Sequence, residues 1–318
     1  MKTIAVLTSG GDSPGMNAAI RAVVRSGIHQ GYRVYGVEQG YEGVLANEFK
    51  LMNSNSVAGI IQLGGTVLKT ARSETFKTEA GFASAVKILK EREIDCLVVI
   101  GGDGSMRGAV RLAEAGIATM VIPGTIDNDM AGTEYTLGFD TALNNVLDAV
   151  NKIRDTAASH QRVAVVEVMG RHAGHIALTA GVACGAEAIL IPEVKTDLAE
   201  LCDSLKKRFK RGKVYAIVIV AEGAGRAYDV AATIGNITGI NTPVTVLGYI
   251  QRGGSPSVYD NVMASRMGSL AVDCIIRGEV NRLLAWQAGK VVAVPYGEAT
   301  VKRSLDPELC KLAGILAT

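Results

Sequence analysis

The sequence predicts an α/β protein made of two doubly wound, parallel-sheet, Rossmann-like domains. Three observations carry this. Apolar runs of strand length recur along the chain, they are continuous rather than alternating, and glycine-rich turns separate them from longer stretches of helical period. A strand that is apolar at every position is covered on both faces, which requires parallel strands joined by crossover helices.

Ile4 to Thr8 reads as a buried strand, followed by the turn Gly10-Gly11-Asp12-Ser13-Pro14-Gly15-Met16-Asn17 and a helical pattern to about Gln30. A second strand spans Arg33 to Val37. Leu97 to Ile100 is a third, ending in Gly101-Gly102-Asp103-Gly104-Ser105 before another helix, and Met120 to Ile122 leads into Pro123-Gly124-Thr125-Ile126-Asp127-Asn128-Asp129. A long helical pattern runs from Asp140 to His160. Strands follow at Val163 to Val168, Ala188 to Ile191 and Ala216 to Val220. This second series predicts a second set of α/β layers with a boundary near residue 139. With only seven prolines and no Gly/Ser linker, the two domains are expected to pack tightly.

Length and composition fit this organisation. The 318 residues correspond to roughly two domains of about 150 residues, and 48% are hydrophobic. Chains of this size bury real cores without a metal or disulfide staple. The formal charge of +2 gives no global electrostatic case for nucleic acid or an anionic membrane. The longest apolar runs, such as Ala216 to Ala221, are far short of the roughly 20 residues of a membrane helix. Met1 to Leu7 reaches Gly10 too soon for a signal peptide. Five dispersed cysteines form no CxxC and no His/Cys cluster, so neither a disulfide framework nor a zinc site is expected, and a reducing cytoplasm fits best.

In an open parallel sheet, ligands bind beyond the carboxyl ends of the strands. Three turns there hold the densest glycine and polar clusters of the chain. Glycine lets backbone approach a ligand closely, and the following helix N-terminus offers free N–H groups to phosphate oxygens. One such turn is ordinary in an α/β protein; three with Asp, Ser or Thr point to phosphate chemistry. The GxxxxGK[ST] pattern is absent. Gly102 to Gly108 spells GxGxxxG rather than a dinucleotide fingerprint, and its Asp103 would repel a pyrophosphate. An Asp in that turn suits Mg²⁺, which neutralises and bridges phosphates; the plain alternative is a helix cap, which Ser105 could equally supply. Asp127 and Asp129, two apart, would point to one side of an extended segment. One would accept a proton from an attacking hydroxyl and the other support the metal; the plain alternative is an Asx turn around Asn128.

Those three turns, together with Met169-Gly170-Arg171 and Gln251-Arg252-Gly253-Gly254-Ser255-Pro256, closely resemble the bacterial ATP-dependent 6-phosphofructokinases over nearly the whole chain. The GGDG turn alone is shared with lipid and NAD kinases. The resemblance implies transfer of a phosphoryl group from ATP to fructose 6-phosphate, giving fructose 1,6-bisphosphate in glycolysis. It assigns 1–138 plus 251–300 to an ATP-binding domain and 139–250 plus 301–318 to a sugar-phosphate domain. Asp127 would take the proton from the sugar 1-hydroxyl, with Thr125 beside the moving group and Arg171 stabilising its charge. Gly11, Tyr41, Arg72, Ser73 and Gly102, Asp103, Gly104 and Ser105 would line the ATP site, with Asp103 on Mg²⁺. Arg162, Met169, Gly170, Glu222, Tyr249 and Arg252 would hold the sugar phosphate. Arg162 is expected to act across a subunit interface, which implies a homotetramer with shared sites. Pyrophosphate-dependent relatives carry Asp and Lys at Gly104 and Gly124; glycines here leave room for the α-phosphate of ATP.

The match departs from the family at three positions. A second cross-subunit arginine falls on Pro243, a histidine on Tyr249 and an arginine on Asn261. Pro243 has neither charge nor backbone donor. A charged hydrogen bond is worth about 1.5–3 kcal/mol, so weaker sugar-phosphate binding is expected, with Arg226 a nearby candidate to compensate. The alternative acceptors are tagatose 6-phosphate and sedoheptulose 7-phosphate, and the rival enzyme class is a dinucleotide-binding oxidoreductase. Arg21, Arg25, Arg154, Gly185, Glu187, Arg211 and Lys213 match a nucleotide effector site, so control by ADP and phosphoenolpyruvate is expected; Ser54, Val214 and Tyr215 replace more polar partners there.

Overall fold

A computed structural model describes residues 2–299 and 303–316. The chain divides into two compact units, Met1–Ile126 with Met130–Thr141 and Arg252–Arg303, and Asp127–Asp129 with Ala142–Gln251 and Ser304–Thr318. In chain order the first unit opens with β1 (Thr3–Ser9), α1 (Met16–His29), β2 (Arg33–Val37), α2 (Gly40–Leu45), β3 (Phe49–Met52), α3 (Glu79–Glu91), β4 (Cys96–Gly101), α4 (Asp103–Glu114) and β5 (Thr119–Pro123). Helix α5 (Phe139–His160) leads into the second unit, with β6 (Val163–Val168), α6 (His175–Ala183), β7 (Ala188–Leu190), α7 (Leu198–Lys210), β8 (Ala216–Ala221), α8 (Ala227–Thr238) and β9 (Val244–Val246). The chain returns to the first unit for α9 (Val258–Arg277), β10 (Arg282–Gln287) and β11 (Lys290–Pro295), and α10 (Pro307–Leu316) follows in the second.

The first unit holds a seven-stranded sheet in the order β11-β10-β5-β4-β1-β2-β3. Its five central strands are parallel, and both faces are covered. Ile4, Val6, Val98, Ile100, Met120 and Ile122 face a core shared with α1 and α9, while Ala5, Leu7, Leu97, Val99 and Val121 face one shared with α3 and α4. Two covered faces are why these strands are apolar at every position. On the first face α1 and α9 nearly touch: a Cβ on Gly268 would lie 2.6 Å from that of Ala22.

Two strands at the edges of this unit, β3 and β11, run antiparallel to their neighbours. The tight turn at Ala288 and Gly289, both at positive φ, joins β10 to β11 as a hairpin. The second unit holds a four-stranded parallel sheet, β7-β8-β6-β9, in which Val163, Val165, Val218 and Val220 pack against α7 and α8. Among the described residues no helix is long and apolar enough to cross a membrane.

Candidate active site

In the first unit, β1, β4 and β5 are adjacent and in register, with Ser9 beside Gly101 and Gly101 beside Pro123. The three glycine-rich turns therefore leave the same edge of one sheet. Their backbones interlock. The Ser105 hydroxyl donates to the Ser9 carbonyl at 2.9 Å, Gly124 N–H to the Gly101 carbonyl at 3.0 Å, and the Thr70 hydroxyl to the Gly10 carbonyl at 2.9 Å. Gly101 admits no side chain, since a Cβ would meet the Ser9 carbonyl oxygen at 2.5 Å.

Neither Asp103 nor Ser105 caps α4. Gly102 occupies the N-cap without a side-chain bond, and Ser105 is turned back to β1. The first turn of α4 thus ends in an uncapped helix start beside open space, for nothing lies within 4 Å of a Cβ built on Gly104. Gly124 differs. Its Cβ direction is filled by Ile100 and Met16 at 3.1 Å, so a side chain there would press on the core.

The ATP-site candidates are not equivalent. Tyr41 is buried rather than lining a surface: its ring stacks on Phe76 at 4.1 Å, and its hydroxyl donates to the Ser105 carbonyl at 2.7 Å. It braces the start of α4 from beneath, and Gly108 makes room for it, since a Cβ there would sit 2.8 Å from the ring. Ser73 is buried too, its hydroxyl accepting from Phe76 N–H, whereas Arg72 beside it is exposed. Asp103 is half-exposed at the first position of α4, 2.9 Å from Arg107. Gly102 and Thr125 face one another, 3.4 Å separating the Thr125 Cβ from a Cβ built on the glycine. Arg252, expected to hold a sugar phosphate, lies in this unit. Its guanidinium lies over Gly11, where a Cβ would sit 3.5 Å from it, and stands 3.9 Å from the Asp12 carboxylate.

The second unit gathers the acid–base candidates. The Asp127 carboxylate, buried to 6% exposure, faces Arg171 Nε at 3.7 Å, while the guanidinium itself is half-exposed. The expectation that Asp127 and Asp129 share one side of an extended segment is not met. Asn128 between them is left-handed at φ 52°, which breaks the two-residue alternation and leaves Asp127 buried and Asp129 half-buried. Arg171 is also left-handed at φ 52° and follows Gly170 at φ 134°. Glu222, expected on the sugar, accepts the Arg171 N–H at 2.8 Å. Buried Gln251, which the sequence reading left without a role, accepts Met169 N–H at 3.2 Å and donates to the Gly248 carbonyl. Met169 to Arg171 thus hang from the carboxyl end of β6, held by the carboxyl end of β8 and by Gln251.

Arg162 lies elsewhere. It precedes β6, whereas Met169 to Arg171 follow it, and a six-residue strand spans about 20 Å. Pro243 is at the same amino edge, its carbonyl accepting Val165 N–H at 3.0 Å. Tyr249 is largely exposed, and Asn261, on α9, is partly buried. Of the effector candidates in this unit, Lys213 pairs with Glu187, Glu187 also accepts Ile217 N–H, and Arg154 donates to the carbonyl of Cys184, next to Gly185 at φ 63°. Arg211 is exposed at the end of α7, while Arg21 and Arg25 lie on α1 of the first unit.

With this geometry in place, comparison with known proteins is decisive. The phosphofructokinase family model matches residues 3–275. The chain belongs to the phosphofructokinase family. The ATP-dependent 6-phosphofructokinase of Clostridium tetani (strain Massachusetts / E88) is 53% identical over 318 residues, covering both chains in full. That of Clostridioides difficile (strain 630) is 52% identical over the same span. A phosphofructokinase from Saccharomyces cerevisiae superposes with a TM-score of 0.87 at 36% identity, over 94% of this chain and 44% of its own. A pyrophosphate-dependent phosphofructokinase from Nitrosospira multiformis, at 21% identity, shares the fold with a TM-score of 0.88, over 99% of this chain and 91% of its own. Membership of this family sets aside the dinucleotide-binding oxidoreductase considered from the sequence.

Proposed function

We propose that the chain transfers the γ-phosphoryl group of ATP to the 1-hydroxyl of fructose 6-phosphate, giving fructose 1,6-bisphosphate, with Asp127 as general base. One observation carries this best: a buried carboxylate facing a half-exposed guanidinium at 3.7 Å, on turns built around left-handed residues. Burial removes the water that would compete for the hydroxyl proton. The exposed part of Arg171 is free to meet negative charge arriving on the transferred group, the electrostatic share of phosphoryl transfer. Chain connectivity keeps Thr125 and Asp127 within about 7 Å, Cα to Cα.

The nucleotide is assigned to the first unit, where interlocked glycine turns and an uncapped helix start suit phosphate oxygens. Gly11, Gly102, Gly104 and Ser105 would form its floor, with Tyr41 and Ser73 as supports beneath. Asp103 fits Mg²⁺: its half-exposed carboxylate, at the first position of α4, suits an ion that arrives with the nucleotide's phosphates. That ion would neutralise the phosphates; Asp103 would orient it, released from Arg107.

The position of Arg162, one strand length from Arg171, supports a homotetramer in which Arg162 serves a neighbouring subunit's sugar phosphate. Pro243 lies at that same edge and removes a cation there. The paired cluster of Arg154, Glu187 and Lys213 is proposed to take ADP or phosphoenolpyruvate, either of which would compete with the carboxylate for the lysine. Unpaired cysteines, four of the five buried, agree with a reducing cytoplasm.

A panel of acceptors with ATP and Mg²⁺ tests the function. Fructose 6-phosphate should give a higher kcat/KM than tagatose 6-phosphate or sedoheptulose 7-phosphate. A Pro243→Arg, Tyr249→His variant should lower its KM roughly ten- to hundredfold, the value of one charged hydrogen bond. A higher kcat/KM for another sugar phosphate would overturn the assignment of the acceptor.

A further inference from the structure

We infer that the turn ending β8, Glu222 and Gly223, is the device that positions Arg171 for the transfer; this rests on the role given to Arg171 above. The half-exposed Arg171 side chain approaches Asp127 only to 3.7 Å, beyond a hydrogen bond, so that contact does not by itself fix its direction. The backbone fixes it. A left-handed residue other than glycine is costly and persists only where its surroundings impose it.

Here the β8 turn imposes it from two sides. Glu222 Oε1 accepts the Arg171 N–H at 2.8 Å, and Gly223 lies flat against the Arg171 carbonyl, where a Cβ would come within 2.0 Å of the oxygen and 3.1 Å of the carbon. The turn is itself anchored, since Glu222 N–H donates to the Val168 carbonyl at 2.9 Å and Ala224 N–H to that of Ala221 at 2.8 Å. Behind Arg171, Gly170 at φ 134° approaches the Ala173 carbonyl, and a Cβ there would sit 2.5 Å from that oxygen. A side chain at 223 must push the Arg171 peptide away and swing its guanidinium off Asp127. Glu222 and Gly223 are thus positioning residues that act through Arg171.

Steady-state kinetics on Arg171→Ala, Gly223→Ala and the double variant test this. Arg171→Ala should lower kcat about hundredfold or more, as loss of a transition-state charge partner does. Gly223→Ala should lower kcat about ten- to hundredfold with KM for ATP unchanged, and the double variant should be no slower than Arg171→Ala alone. Glu222→Gln, whose amide oxygen still accepts the N–H, should turn over at least about tenfold faster than Glu222→Ala; this pair decides the matter if Gly223→Ala does not fold. A double variant slower than Arg171→Ala by the full Gly223→Ala factor, or Glu222→Gln no faster than Glu222→Ala, would overturn the positioning role while leaving Arg171 catalytic. Unchanged kcat in Arg171→Ala would instead overturn the role of Arg171, and the positioning role with it.

Discussion

Asp127 and Arg171 meet through turns whose non-glycine residues sit in the left-handed region, Asn128 and Arg171 both at φ 52°. A second buried carboxylate does structural work. Asp260, fully buried on α9, accepts the backbone N–H groups of Gly138 and Thr141 and the Thr141 hydroxyl, and so caps the start of α5. Burial pushes its pKa up to about 6, against the downward pull of Thr141 and the two amides. A raised pKa in the folded state means that folding favours the proton. The contribution of Asp260 is therefore full below about pH 4 and is lost as pH rises through about 6, by roughly 3 kcal/mol for about two units. The Tm difference between wild type and Asp260→Asn should shrink as pH rises from 4 to 6.5; a constant or growing difference would contradict this. At this scale the sequence names residues better than it places them. Asp127, Arg171 and Asp103 stand out as charged residues in glycine-rich turns. The two-residue alternation that predicted Asp127 and Asp129 side by side fails because one left-handed asparagine is enough to cancel it. The bond from Arg171 to Glu222 spans 51 residues and leaves no local signal.

Elements covered on both faces were the most legible. Strands β2 and β6 fall at their predicted bounds and β1, β4, β5 and β8 within one residue at each end, because burial on two sides enforces unbroken apolar runs. The long pattern from Asp140 to His160 is α5 almost in full. Edge strand β3 escaped notice because it carries exposed Lys50 and Leu51 and shows no continuous apolar run. Strands β10 and β11 were missed although each carries an apolar run, Leu283 to Trp286 and Val291 to Val294, because no glycine-rich turn and helix follow them to mark a crossover unit. Helix α4 shows how an element exceeds its motif. The glycine turn before it was legible, but its support was not: Tyr41, 64 residues earlier, holds the Ser105 carbonyl, and Gly108 clears space for that ring.

For the whole molecule, Arg162 and Arg171 stand at opposite ends of β6, and in the proposed homotetramer Arg162 serves a neighbouring subunit's sugar-phosphate site. Subunits carrying Arg162→Ala and subunits carrying Asp127→Asn should each be nearly inactive alone. Reassembled one to one, they should recover up to about one quarter of wild-type activity, the share of sites with an intact base from one chain and an intact arginine from its neighbour. Recovery no greater than that of either parent would exclude shared sites. The base itself is tested most directly by turnover of Asp127→Asn with saturating ATP, Mg²⁺ and fructose 6-phosphate. Loss of a general base should lower kcat about hundred- to ten-thousandfold while KM for ATP stays within a few-fold of wild type; turnover equal to that of the unmodified enzyme would contradict the mechanism.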